Sequence, residues 1–155
     1  MISIRSAISS DVEAIVRLVN EAFLVERFFI ERDRTNPEMV RGLLKKGKFL
    51  LAEDGPSLVG CVYVELQEKN GYLGMLSVDP ARQRAGIGRQ LIAAAEDYFR
   101  AAKRRSSDLC IVNVREDLKT LYRKLGYVET GTAPYVEIVK TKMPVHFILM
   151  SKPLR

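Results

Sequence analysis

The stretch Gly-Tyr-Leu-Gly-Met-Leu-Ser-Val-Asp-Pro-Ala-Arg-Gln-Arg-Ala-Gly-Ile-Gly-Arg-Gln-Leu, residues 71–91, reads as a strand, a tight turn and a helix start, with Gln83, Gly86 and Gly88 in the turn. Glycine lacks a Cβ and tolerates positive φ, so successive backbone N–H groups there can converge on one point. A helix that starts at that point adds its unpaired donors and the positive end of its dipole. The arrangement is an anion cradle, and its natural occupant is a phosphate or diphosphate. Two familiar phosphate binders do not match it. A Rossmann fingerprint wants glycine where Leu91 stands, and a P-loop wants a Gly-Lys-Ser/Thr triplet that the sequence lacks.

Other reactive side chains are sparse. His146 is the only histidine, and Glu26, Glu31, Glu65 and Glu68 are the carboxylates that could take up a proton. No Cys/His/Asp cluster has metal-ligand spacing, and no Ser/His/Asp set suggests itself. Tyr122 stands with Leu118, Leu121 and Leu125 on one apolar helical face, which allows a packed ring with its hydroxyl in a cleft.

The elements that must position these groups follow from periodicity. Ile2, Ile4 and Ala7 begin a strand, and Ser10-Asp11-Val12-Glu13 reads as a capping box for a helix running to about Glu26. Asn36-Pro37-Glu38 starts a second helix, which Gly47 closes. Residues 48–53 and 58–67 read as a hairpin joined by Asp54-Gly55-Pro56-Ser57, and Lys69-Asn70-Gly71 turns into the strand that feeds the cradle. Ile87, Leu91, Ala94, Ala95, Tyr98, Phe99 and Ala102 recur at helical spacing up to a basic last turn, Lys103-Arg104-Arg105. Residues 109–114 form a buried strand, so strand, helix and strand make a βαβ unit with a parallel pair. Asn113-Val114-Arg115-Glu116 resembles another capping box, Gly126 suits the end of the following helix, and residues 127–131 and 145–150 close the sheet. The fold class is α+β: one domain over residues 1–155, a mixed sheet with helices on both faces.

Composition narrows the classes. The 155 residues suffice for an ordinary core, and the 47% hydrophobic and 28% charged balance is globular. The net charge of +6 is a modest excess that permits an anionic ligand. Its short basic runs read as solvated helix ends rather than a nucleic-acid footprint. The N-terminus has no signal-peptide pattern, and no apolar run approaches the roughly 20 residues of a membrane span. Cys61 and Cys110 lie in apolar strands, as buried thiols of a reducing, cytoplasmic setting do.

The cradle resembles the diphosphate-binding turn of the GCN5-related N-acetyltransferase (GNAT) family, Gln/Arg-x-x-Gly-x-Gly/Ala, through Gln83, Gly86 and Gly88. Leu121-Tyr122-Arg123-Lys124-Leu125-Gly126-Tyr127 is similar to the Leu-Tyr-x-Lys-x-Gly-Phe/Tyr segment of the same family, and the element order agrees up to Met150. The resemblance implies the acyl-CoA N-acyltransferase fold, a mostly antiparallel sheet with a splayed central parallel pair. It also implies an enzyme that moves acetyl from acetyl-CoA to a primary amine by direct transfer in a ternary complex.

By that resemblance the diphosphate lies on the amides of Arg84, Ala85, Gly86, Ile87, Gly88 and Arg89, and the pantetheine arm runs along Leu76, Ser77 and Val78. Tyr122 is then the acid that protonates the leaving thiolate, and Lys124 is a cation for the 3′-phosphate. Two departures stand out. Many members carry Gly where this chain has Arg84, and many carry Asn seven residues before the tyrosine, where this chain has Arg115 and places Asn113 two residues earlier. Asn113 therefore reads either as a helix cap or as a coenzyme contact. The acceptor wall is sought in residues 23–33 and 132–144, with Glu26, Phe29, Arg34 and His146 as candidate substrate contacts. Related folds commonly pair through their sheets, which allows a homodimer. The alternative reading is a noncatalytic acyl-CoA binding or sensing module.

Overall fold

The computed structural model describes residues 1–135 and 141–155. Alternation along the strands decides which face each side chain serves. In β2 (Lys48–Asp54), Phe49 and Leu51 join one core cluster while Leu50 and Ala52 join the other; in β3 (Ser57–Leu66), Cys61 and Tyr63 oppose Val62 and Val64 in the same way. The first face is covered by α1 (Val12–Ala22), which buries Val12, Ile15, Leu18 and Val19, and by α2 (Pro37–Lys46) through Val40. The second is covered by α3 (Ile87–Ala101), with Leu91, Ala95 and Phe99 inward, and by α4 (Glu116–Lys124) through Tyr122.

With β1 (Ile2–Ser6), β4 (Asn70–Val78), β5 (Ser106–Val112), β6 (Val128–Pro134) and β7 (His146–Pro153), these strands form one sheet in the order β1-β2-β3-β4-β5-β7-β6. Every neighbouring pair is antiparallel except β4 and β5. The expected α+β mixed sheet with helices on both faces and a central parallel pair is what the chain forms. No helix among the described residues is long and apolar enough to cross a membrane.

Several boundaries differ from the periodicity reading. The first helix stops at Ala22 and a 3-10 helix, Phe23–Phe28, replaces its last turn; from there Glu26 reaches a partner across the molecule. Its N-terminal box also forms earlier: the Asp11 carboxylate accepts from the Ile8 amide at 2.7 Å. Asn36 caps α2 as expected, its Oδ1 accepting from the Met39 amide at 2.9 Å. The β2–β3 strands run to Asp54 and from Ser57, leaving a tighter turn than the four residues expected. Helix α3 ends at Ala101, so Lys103-Arg104-Arg105 lies beyond it, with Lys103 in the left-handed region at φ 61°. Cys61 is fully buried, and burial pushes its thiol up to about 12, whereas Cys110 is only half-buried.

The close seating of α3 on the sheet depends on Gly71 of β4. A Cβ there would come within 2.2 Å of the Phe99 ring, an aromatic that is itself completely buried. Gly71→Ala is therefore expected to destabilise the fold by about 1–3 kcal/mol through overpacking, read as a lower urea midpoint with an unchanged slope.

Candidate active site

The central parallel pair is short. Only Asn70, Gly71 and Tyr72 of β4 pair with Ser106, Ser107 and Asp108 of β5; beyond them the strands part while each keeps its outer neighbour. The parted segments, Leu73 to Leu76 and Leu109 to Val112, wall a cavity of about 200 Å³. An irregularity in β4 helps to open it. Cys61 pairs with Ser77 and Tyr63 with Gly74, so Val62 faces both Met75 and Leu76, and Met75 takes a left-handed φ of 53°. Such a bulge adds a residue to one strand and re-aims its backbone groups. The Ser77 hydroxyl, donating to the Met75 carbonyl at 2.9 Å, braces the bulge.

At the far end of β4 the chain turns into the cradle. Asp79 donates its amide to the Val59 carbonyl at 2.8 Å and accepts from the Ala81 amide at 3.0 Å, which starts the 3-10 turn Pro80–Arg82. Arg82 ties that turn to Asp54 at 2.6 Å. Arg84 and Gly86 then take left-handed φ values of 70° and 80°, and α3 begins at Ile87. Among the described residues, no backbone N–H from Gln83 to Arg89 donates to another residue; the first that does is Gln90, to the Gly86 carbonyl at 3.1 Å.

These amides border a second cavity, about 310 Å³, lined by Gln83, Arg84, Gly86, Ile87, Gly88 and Arg89, by Leu76 and Val78, and by Arg115 and Asp117 opposite. Free amides and several guanidinium groups fit a diphosphate. Phe23, Leu76 and Leu118 line both cavities, so the two adjoin along β4.

The two glycines do different work. Gly86 needs its left-handed φ, and a Cβ there would touch nothing, whereas Gly88 lies inside α3 with a would-be Cβ in ordinary contact with Val78 and Leu76. Gly86→Ala is expected to cost about 1–2 kcal/mol through backbone strain alone. Gly88→Ala is expected to gain up to about 1 kcal/mol from helix propensity. Urea unfolding of the two variants checks the contrast.

Tyr122 lines the inner cavity and packs edge-on against Tyr127, ring centroids 5.6 Å apart. Burial raises its phenol above the ordinary value of 10.0, so it is protonated at neutral pH. Among the described residues nothing hydrogen-bonds its hydroxyl. Glu26, on the facing 3-10 helix, lines the same cavity and accepts from Arg115 Nη1 at 2.8 Å. Both side chains of this pair are 11% exposed. Burial raises the Glu26 carboxyl above its ordinary value, against the pull of Arg115. Arg115 also grips Asp117 with two hydrogen bonds, of 3.0 and 2.9 Å, and holds its carboxyl below the usual range.

The remaining candidates fall as follows. Arg34 lines the inner cavity with its guanidinium 5.3 Å from the centre of the Phe23 ring. Phe29 is fully buried behind that wall, edge-on to Tyr135. Ser77 is buried on the opposite face of β4, and Ala85 is exposed on the turn without lining the cavity. Lys124 and His146 are exposed and line neither cavity.

Asn113 does not cap α4, which starts without a side-chain cap; its Oδ1 accepts from the His146 amide at 2.9 Å, tying β7 to the end of β5. Of the 132–144 segment, residues 136–140 lie outside the described residues, while Tyr135 does line the cavity. Nothing in the sequence periodicity marks Arg115, Met75, Cys110 or Tyr72 as site residues. For Arg115 the departure from the family's asparagine is a signal; the other three carry none.

Residues 15–145 match the model of the acetyltransferase (GNAT) domain family. No curated protein is significantly similar in sequence. Among solved structures, the ribosomal-protein-S18-alanine N-acetyltransferase from Escherichia coli superposes with a TM-score of 0.80 at 17% identity, over 99% of this chain and 94% of that one. YncA from Salmonella typhimurium, solved with its cofactor acetyl-CoA, gives 0.77 at 23% identity over 100% and 95%. PaiA N-acetyltransferase from Thermoplasma acidophilum, in complex with coenzyme A, gives 0.82 at 17% identity over 99% of both chains. These likenesses establish the shared fold, and the domain match spans most of the sequence. The chain accordingly belongs to the GNAT family, as an acetyl-CoA-dependent acetyltransferase.

Proposed function

We propose that this protein transfers the acetyl group of acetyl-CoA to a primary amine directly, with both substrates bound at once. One observation carries the reading: the run of free amides from Gln83 to Arg89 leads straight along β4 to a cavity that opens because β4 and β5 part. A diphosphate on the first and a thioester in the second is one continuous binding mode.

When bound, acetyl-CoA supplies an acetyl group activated as its thioester. The chain's residues do the rest. The amides from Arg84 to Arg89, with the Arg84 and Arg89 guanidiniums, hold the diphosphate. The unpaired edge of β4 at Leu76 to Val78 bonds the pantetheine amides as a neighbouring strand would, and an N–H on that edge polarises the thioester carbonyl. The Tyr122 hydroxyl gives its proton to the departing sulfur. Glu26 faces the amine and accepts its proton through the carboxylate oxygen that Arg115 leaves open; a carboxyl raised by burial is the better base for it. The free thiols Cys61 and Cys110 suit a reducing, cytoplasmic setting.

The test mixes the protein with acetyl-CoA and a panel of amines, diamines, amino acids and peptides while following free thiol. At least one acceptor is expected to release thiol at a rate proportional to enzyme, and acetyl-CoA alone to raise the melting temperature. Protection by acetyl-CoA without thiol release from any acceptor would mark a binding or sensing module instead.

A further inference from the structure

The inner cavity holds more charge than the transfer itself requires. Glu26 is satisfied by Arg115, and Asp33, on the same wall, is satisfied by Arg27 at 2.9 Å. Arg34 differs. Its guanidinium is held over the Phe23 ring and has no carboxylate partner among the described residues. It is half-buried, and it lies within electrostatic reach of Glu26, Tyr72, Cys110 and Tyr135, groups on separate walls of the cavity.

A guanidinium fixed by an aromatic face, partly removed from water and without a carboxylate partner among the described residues, is built to receive an anion. The coenzyme does not supply one there. Its diphosphate belongs to the cradle beyond Leu76, its 3′-phosphate sits at the adenosine end, farther still from the thioester, and the thioester end is uncharged. The anion must then arrive with the other substrate.

We infer that the acceptor is a small amine carrying its own carboxylate, an α-amino acid, with Arg34 binding that carboxylate and Glu26 facing the ammonium group. The inference rests on the transferase reading above. A cavity of about 200 Å³ suits it, being small beside the roughly 300–1,000 Å³ of sites for drug-sized ligands. The opposed charges also explain why one cavity wall carries both a carboxylate and an arginine that do not pair with each other. An amine bearing its acid one carbon away complements both, whereas a lysine side chain of a protein offers no such anion beside its amine.

The test uses the intact protein, acetyl-CoA, and matched pairs of L-amino acids and their carboxamides, with kcat/KM for thiol release as the readout. The wild-type protein should use at least one amino acid about tenfold or more better than its carboxamide. In Arg34→Gln that ratio should fall to near one, mainly through KM for the amino acid. Arg34→Lys, which keeps the charge, should restore part of it, and both variants should melt within a few degrees of wild type, because Arg34 stands at a cavity wall.

A wild-type ratio near one or below, or a ratio that survives Arg34→Gln, overturns the inference while leaving transfer to neutral amines intact. Failure of every acceptor to release thiol overturns the transferase reading, and this inference with it.

Discussion

Tyr122→Phe is expected to lower kcat by about 10²–10³-fold with acetyl-CoA affinity retained. The substitution removes one oxygen. The ring still packs against Tyr127 at 5.6 Å, and no protein group among the described residues loses a hydrogen bond. Stability should therefore change by no more than about 0.5 kcal/mol, which separates the kinetic effect from a folding defect. Burial raises the phenol's pKa, so the loss should be the same throughout the neutral pH range rather than confined to its alkaline end. Single-turnover thiol release with a responsive amine, alongside calorimetric titration of acetyl-CoA, measures both halves. An unchanged kcat would remove Tyr122 from the chemistry and leave it as a core residue.

The second large effect concerns the pair that crosses the cleft. Arg115→Met strands the Glu26 carboxylate in a buried position, and removing one partner of such a pair typically costs about 3–5 kcal/mol. The pH dependence follows from the sign of the shift. Burial already raises Glu26, while both the charge and the hydrogen bond of Arg115 pull it down, so the variant raises it further. A carboxyl raised in the folded state binds more protons there than in the unfolded chain. The stability this gives is present below the ordinary value of 4.5 and is lost as pH rises through the folded value. Arg115→Met should thus lie nearest to wild type at acid pH and fall away toward neutrality. Glu26→Gln combined with Arg115→Met should recover most of the loss and flatten that added slope. Urea unfolding across this pH range is the measurement, and a single variant with wild-type stability at neutral pH would show that the pair contributes little.

Legibility in the sequence tracked how local the cause was. The strand, turn and helix around Gly86 depend on residues within a few positions of one another, so the cradle could be read from Val78-Asp79-Pro80 and the glycines that follow. The same holds for the Asn36 cap and for Gly126, which takes φ 99° just after α4.

What could not be read depends on partners distant along the chain. Glu26 is 89 residues from Arg115, and it makes their ion pair from the 3-10 helix that follows α1. Asn113 has the residue type and spacing of a cap, yet its carbonyl goes to the His146 amide because β7 runs beside β5. The bulge at Met75 arises from the register of β4 on β3, which no property of methionine announces. Phe29 shows the converse limit: an aromatic in a functional segment can serve the wall from behind.

A crystal structure grown with acetyl-CoA would show where the coenzyme lies relative to the turn and to Tyr122. The diphosphate is expected against the amides of Arg84 to Arg89 and the thioester between Leu73 to Leu76 and Leu109 to Val112, with the Tyr122 hydroxyl nearest the sulfur. Coenzyme bound elsewhere on the molecule, or a thioester facing away from Tyr122, would contradict that placement.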